Sequence, residues 1–177
     1  MTMSDIRVLD KAATLAALTD LIELFSETVR GGASMGYMLP FPADEAEAYW
    51  RGVAEAAERG DIVLMALEDA GRIVGSVQLG IAMPPNQPHR ADIKKLMVHP
   101  DQRGRGLSRR LMEAAEREAA ARGRSLLVLD TATGEPAEKI YEHLGWTAAG
   151  IIPGYALFPD GRPCDTTVYY KALQTLI

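Results

Sequence analysis

A chain of 177 residues suits one domain and can bury a substantial core. Its composition, 47% hydrophobic and 24% charged, is an ordinary globular balance, and a formal net charge of -5 argues against a general nucleic-acid surface. Cys164, the single cysteine, excludes an intrachain disulfide framework and fits a reducing compartment. The opening stretch carries Asp5, Arg7, Asp10, Lys11 and Asp20, which leaves no signal-peptide core, and no uncharged apolar run is long enough to span a bilayer. The expectation is a cytoplasmic protein without a membrane partner.

Taken in order, Ile6 to Leu9 is a short strand candidate. Leu15, Leu18, Ile22, Phe25 and Val29 recur at steps of three and four and predict one amphipathic helix, stopped by Gly31-Gly32. The loop from Gly31 to Pro42 is glycine-rich yet carries Met35, Tyr37, Met38, Leu39 and Phe41, so it either packs back on the body or lines a pocket. Asp44 is the expected N-cap of a second helix, with Ala46, Tyr49, Val53 and Ala56 on its buried face. Ile62 to Leu67 reads as a strand. Asp69-Ala70-Gly71 makes a hairpin turn into a strand that alternates from Ile73 to Ile81. Pro84 to Pro88 is a rigid surface loop.

Ala91 to Val98 predicts the next strand. After it comes a helix that buries Leu107, Leu111, Ala115 and Ala119 and pairs Glu113 with Arg117 and Glu118 with Arg122 on its outer side. Leu126 to Leu129 is a fully buried strand by its lack of alternation. Strand, helix and strand in that order imply a parallel crossover, with Asp130-Thr131 at the carboxyl end where open α/β sheets place ligands. Pro136 starts a short helix with Ala137, Ile140, Tyr141 and Leu144 facing inward, ended by Gly145. Thr147 to Ile152 and Thr166 to Tyr170 are the last two strands.

The stretch Asp92 to Met112 carries the strongest chemical signal. An apolar strand runs through His99-Pro100 into Arg103-Gly104-Arg105-Gly106-Leu107-Ser108 and opens directly into a helix. A helix N-terminus carries roughly +0.5 charge and free N–H groups, which attract phosphate. Gly104 and Gly106 let the backbone turn sharply and approach a ligand, and Arg103, Arg105, Arg109 and Arg110 add charge. The P-loop string Gly-x-x-x-x-Gly-Lys-Ser/Thr is absent, and Arg109 stands where the dinucleotide fingerprint needs its third glycine. The pattern Gln/Arg-x-x-Gly-x-Gly/Ala does fit, with Ser108 as a small departure at its last position. This resembles the coenzyme A diphosphate loop of the GNAT superfamily of N-acetyltransferases. Leu96-Met97-Val98 is similar to the strand that pairs with pantetheine in that family, and Ala137 to Trp146 resembles its closing helix, Ala-x-x-x-Tyr-x-x-x-Gly-Phe.

A closer resemblance, to the tabtoxin-resistance acetyltransferases, covers nearly the whole chain. It rests on Glu27 to Met38, Lys95 to Val98, Arg103 to Leu107, Asp130-Thr131, Pro153-Gly154-Tyr155 and Pro159 to Arg162. The resemblance implies an α/β single domain over 1–177, with a mixed, mostly antiparallel sheet splayed at the strands that grip acetyl-CoA and about four flanking helices. Acceptor-side helices and loop would span 12–60, the acetyl-CoA core 62–146 and the last strands 147–171. It implies acetyl-CoA as cosubstrate, held by Leu96, Met97, Val98 and the loop from Arg103 to Arg109, and a small amine as acceptor, in the manner of an amino-acid-like antibiotic or toxin. A peptide or lysine acceptor and a non-catalytic acyl-CoA sensor are the rivals, and a homodimer stays open.

Direct transfer needs a base near the amine and an acid near sulfur, because an aliphatic ammonium has a pKa near ~10.4 and a thiol leaving group near ~8.5. The resemblance gives the acid role to Tyr141. Asp92, in the place where several family members carry a glutamate, and Asp130 are the base candidates; an ion pair with Lys94 or Lys95 is the plain alternative for each. Backbone amides at Met97 or Val98 would face the oxyanion. Ser34, Met35 and Tyr37, with Tyr155, are the expected acceptor pocket. His99 reads as a solvated turn residue, and His89 and His143 have no metal-ligand spacing.

Overall fold

The computed structural model describes residues 5–173; the two ends of the expected 1–177 domain lie outside the described residues. Seven strands form one mixed sheet in the order β1-β2-β3-β4-β5-β7-β6. They are β1 (Asp5–Leu9), β2 (Ile62–Asp69), β3 (Arg72–Gly80), β4 (Arg90–Val98), β5 (Leu126–Ala132), β6 (Thr147–Leu157) and β7 (Pro163–Ala172). Every neighbouring pair is antiparallel except β4 and β5. Five α-helices are found among the described residues, α1 (Lys11–Ala16), α2 (Leu18–Arg30), α3 (Ala43–Glu58), α4 (Leu107–Ala121) and α5 (Pro136–His143), and a 3-10 turn covers Pro100–Gln102.

The period of two along β2 sorts its side chains into two cores. Val63, Met65 and Leu67 join Leu107, Leu111, Met112 and Ala115 under α4. Leu64 and Ala66 join Phe25, Val29, Trp50 and Val53 under α2 and α3. β3 is buried on both faces, so its alternation marks no solvent side, and the polar Ser76 and Gln78 are buried as well. The hairpin between β2 and β3 turns on Ala70 (φ 50) and Gly71 (φ 79), the left-handed pair that a two-residue loop demands.

Three expectations about helices need correction. The single N-terminal helix is two, because Ala17 leaves helical geometry and caps α1 with amide bonds to Ala13 and Thr14. On α2 the expected Phe25 and Val29 are buried and Leu18 and Ile22 pack beside them, while Leu21, Leu24 and Thr28 complete the buried stripe. Asp44 does not cap α3: Pro42 holds that position, and the Asp44 carboxylate accepts from the Glu45 amide inside the first turn. On α4, Glu118 pairs with Arg122 at 2.7 Å as expected, whereas Glu113 takes Arg109 at 2.8 Å, one turn back, instead of Arg117.

The last two strands run longer than their patterns. β6 continues to Leu157 because the ladder with β7 resumes at Ala156 after an irregularity that spans Pro153, Gly154 and Tyr155. Nearly every residue of this edge strand is exposed. Among the described residues no helix is long and apolar enough to cross a membrane.

Candidate active site

The site begins with a strand pair that parts. β4 and β5 pair in parallel only from Arg90/Leu126 to Asp92/Val128. Beyond that, β4 stays with β3 and β5 stays with β7, so a V-shaped gap opens between Ile93–Val98 and Leu129–Ala132. The His99 amide donates to Val74 O at 2.8 Å, which turns it toward β3. Pairs alternate along an antiparallel ladder, so the polar backbone of Val98, opposite Gly75, faces the gap and that of Met97 faces β3.

β4 is bulged where it borders the gap. Its register with β3 shifts between Ser76 and Gln78, and Lys95 sits there at φ 52. The extra residue sends two successive side chains to one face. Lys94 opposes Gln78, whose amide meets Tyr49 Oη of α3. Lys95 reaches the same side, where Nζ donates to Met35 O and lies 5.8–5.9 Å from the ring centres of Phe25, Tyr37 and Tyr49. Burial lowers the Lys95 pKa, and the charge of Asp130 works against that shift.

At the mouth of the gap stands the loop 99–106 and the start of α4. Gly106 is the N-cap at φ 72 and Gly104 stands at φ 76, so both take the left-handed conformation that favours glycine. A Cβ at either position would meet no atom of the chain; the space in front of them is open. No side chain caps α4, whose first amides point outward. Arg103 is exposed, Arg105 bridges to Asp69 at 2.7 Å and to Gln102, and Arg109 holds Glu113. Leu107 is buried against the α4 core, and Ser108 is half-buried.

The candidate acid and bases lie on the two sides of this gap. Asp130 follows Val128, which pairs with Asp92, so both aspartates share the α3 face. Asp130 is exposed, while Asp92 lies where the strands still pair and has Arg90 at 3.5 Å rather than a lysine. Tyr141 of α5 is on the other face, 5% exposed, its ring 6.1 Å from Trp146 and 5.7 Å from Tyr169. Its hydroxyl bonds with the side chain of Thr131; burial, the larger effect, pushes its pKa up to about 12, and Asp130 adds to the rise. The phenol is thus fully protonated at neutral pH.

The loop from Gly31 to Pro42, the expected acceptor side, packs back on the body. Phe41 is buried, and Met35 and Tyr37 pack on the α2/α3 core. Burial also raises the Tyr37 pKa. Ser34 Oγ donates to Leu157 O at 3.2 Å and the Leu39 amide to Pro159 O at 2.9 Å, which ties the loop to the β6–β7 turn. Tyr155 is 59% exposed on the irregular part of β6. Sequence reasoning named Lys95 only as a partner for the aspartates and missed its cage, since Phe25, Tyr37 and Tyr49 are distant in the chain; its place within Lys95-Leu96-Met97-Val98 was the one available signal.

His99 is not solvated. Its side chain is 15% exposed, with Nε2 3.6 Å from a Glu23 carboxylate oxygen and Nδ1 accepting from the Asp101 amide. Cys164 is buried, with its thiol on Asp165 O. Among the described residues no group of His, Cys, Asp and Glu is arranged to hold a metal ion.

Comparison with known proteins adds to this geometry. The family model described as the acetyltransferase (GNAT) family matches residues 19–146. An uncharacterized N-acetyltransferase from the hisH-hisA intergenic region of Azospirillum brasilense is 36% identical over 132 residues, which are 72% of this chain and 76% of that one. A phosphinothricin acetyltransferase of the GNAT superfamily from Sinorhizobium meliloti, solved in complex with AcCoA, superposes with a TM-score of 0.78 at 18% identity, covering 98% of this chain and 89% of that one. A ribosomal-protein-alanine N-acetyltransferase from Brucella melitensis gives 0.77 at 20% identity, covering 96% and 99%.

Proposed function

The chain belongs to the GNAT family of acetyltransferases and is an N-acetyltransferase, and from that premise we propose that it transfers acetyl directly from acetyl-CoA to the amine of a small, amino-acid-like molecule, antibiotics and toxins of that type included. The gap between β4 and β5 carries this reading, because it puts an open helix N-terminus at one end and a carboxylate and a phenol on opposite faces. The diphosphate of acetyl-CoA sits against the amides of Arg103 to Ser108, with Arg103, Arg105 and Arg109 around it. Pantetheine runs along the gap-facing edge of β4 from Leu96 to Val98, with Met97 behind it in the core.

The chemistry follows from where the charges stand. Asp130, directly or through a water, takes a proton from the bound ammonium. Of the two aspartates it is favoured by its exposure and by the Arg90 contact that holds Asp92. The free amine attacks the thioester carbon, and the Val98 amide faces the oxyanion that forms. The carbon–sulfur bond then breaks, and the Tyr141 hydroxyl gives its proton to the departing thiolate. The attacking nitrogen sheds a second proton as the intermediate collapses; of the two protons lost from nitrogen, one restores the phenol and the other leaves to solvent, so an ammonium and acetyl-CoA yield an amide, a free thiol and one proton.

A small acceptor is supported by the loop from Gly31 to Pro42. Lys95, Leu157 and Pro159 hold it at three places, so on this reading it is a fixed wall beside the gap, which suits a small acceptor better than a peptide. The resemblance to tabtoxin-resistance enzymes and the phosphinothricin acetyltransferase among the neighbours point the same way. The test is thiol release from acetyl-CoA across a panel of free amino acids, phosphinothricin and alanine-initiated peptides. Turnover with amino-acid-like members is expected; turnover with peptides alone would move the acceptor to protein termini.

A further inference from the structure

Lys95 is a charged side chain in an unusual place. Among the described residues only Ala70, in a hairpin turn, shares its positive φ without being glycine. The bulge of β4 sets Lys95 in this conformation and turns its side chain toward α2 and α3. Its half-buried ammonium has three N–H groups, and Met35 O takes one. The three aromatic rings soften its desolvation. No carboxylate of the described residues forms an ion pair with it, although Asp130 acts on it from farther away. Asp130 also acts on Tyr141, so ammonium, carboxylate and phenol share one neighbourhood. A half-buried cation with no carboxylate in ion-pair range among the described residues, on the same face of the sheet as the exposed Asp130, presents two opposite charges to one ligand.

We propose that Lys95 and Asp130 form a two-charge acceptor subsite, in which Lys95 receives the carboxylate of an α-amino-acid-type acceptor and Asp130 its amine. This rests on the small-amine reading above and adds what the acceptor must carry besides its amine. A charge-assisted bond to the acid then draws the amine toward the thioester and discriminates against neutral analogues. The Met35 carbonyl on the same ammonium lets the acceptor loop feel the bound acid.

The test compares kcat/KM for each amino acid of the panel with that of its carboxamide. The wild-type chain is expected to favour the acid by at least about tenfold, in keeping with a site built around a buried polar group. Lys95→Met should bring the ratio to about one with the acetyl-CoA KM unchanged, and Lys95→Arg should restore part of it. A wild-type ratio near one overturns the subsite whether or not the variants fold. So does a Lys95→Met chain that loses rate on acid and amide alike, which would make Lys95 a latch for the loop only. Thiol release with no member of the panel would overturn the small-amine reading itself, and the subsite with it.

Discussion

The two faces of the β4–β5 gap are built in different ways. On the α4 face, the cradle is one continuous stretch from His99 to Ser108, and its shape is a property of local backbone: two left-handed glycines and an uncapped helix start. On the α3 face, the proposed acceptor side is assembled from α2, the Gly31 to Pro42 loop, α3, the β4 bulge and β5, with Lys95 of the bulge touching the two helices and the loop. On the proposed reading, the local device serves a ligand part that is the same in every reaction of this kind, a diphosphate. A converging device can change one contributor at a time, as a variable acceptor requires.

This contrast can be sharpened by substitutions whose effects separate donor, chemistry and acceptor. Tyr141→Phe should have the largest effect. It removes the proposed proton donor and keeps the ring between Trp146 and Tyr169, so kcat should fall by roughly a hundredfold to ten-thousandfold while acetyl-CoA binding holds. Equal turnover in the variant would end the acid role. Because its pKa lies at about 12, the wild-type rate should show no loss from Tyr141 as pH rises through 10, the ordinary tyrosine value. A smaller change is expected of Gly106→Val. The new side chain meets no neighbour in the chain, but φ 72 strains a branched residue and its methyls project into the cradle. A left-handed L-residue costs about 1–2 kcal/mol, so calorimetry should find acetyl-CoA bound about tenfold more weakly, with the acceptor acid-to-amide ratio intact. Unaltered affinity would separate the loop from the ligand.

What could be read from the sequence follows the same division. The glycine loop that opens α4, the hairpin at Ala70-Gly71 and the short helix bearing Tyr141 announce themselves by spacing, because each is fixed by neighbours in the chain. The break at Ala17 was not legible: the apolar repeat runs straight through it, and the packing of Leu21, Leu24 and Phe25 on the sheet resets the face. The fate of His99 depended on Glu23, which lies far from it in the chain. Asp92 and Asp130 were both legible as base candidates, but only the strand pairing puts one where β4 and β5 still bond and the other in the gap. Lys95 was the furthest from reach, since no pattern along β4 reveals a bulge or three rings brought from two helices and a loop.

The most direct measurement is a crystal structure of the chain with acetyl-CoA. The diphosphate should lie against the amides that follow Arg103, the pantetheine between β4 and β5, and the sulfur within hydrogen-bonding reach of Tyr141 Oη. Acetyl-CoA seated on another face, or a thioester remote from both Tyr141 and Asp130, would contradict the account.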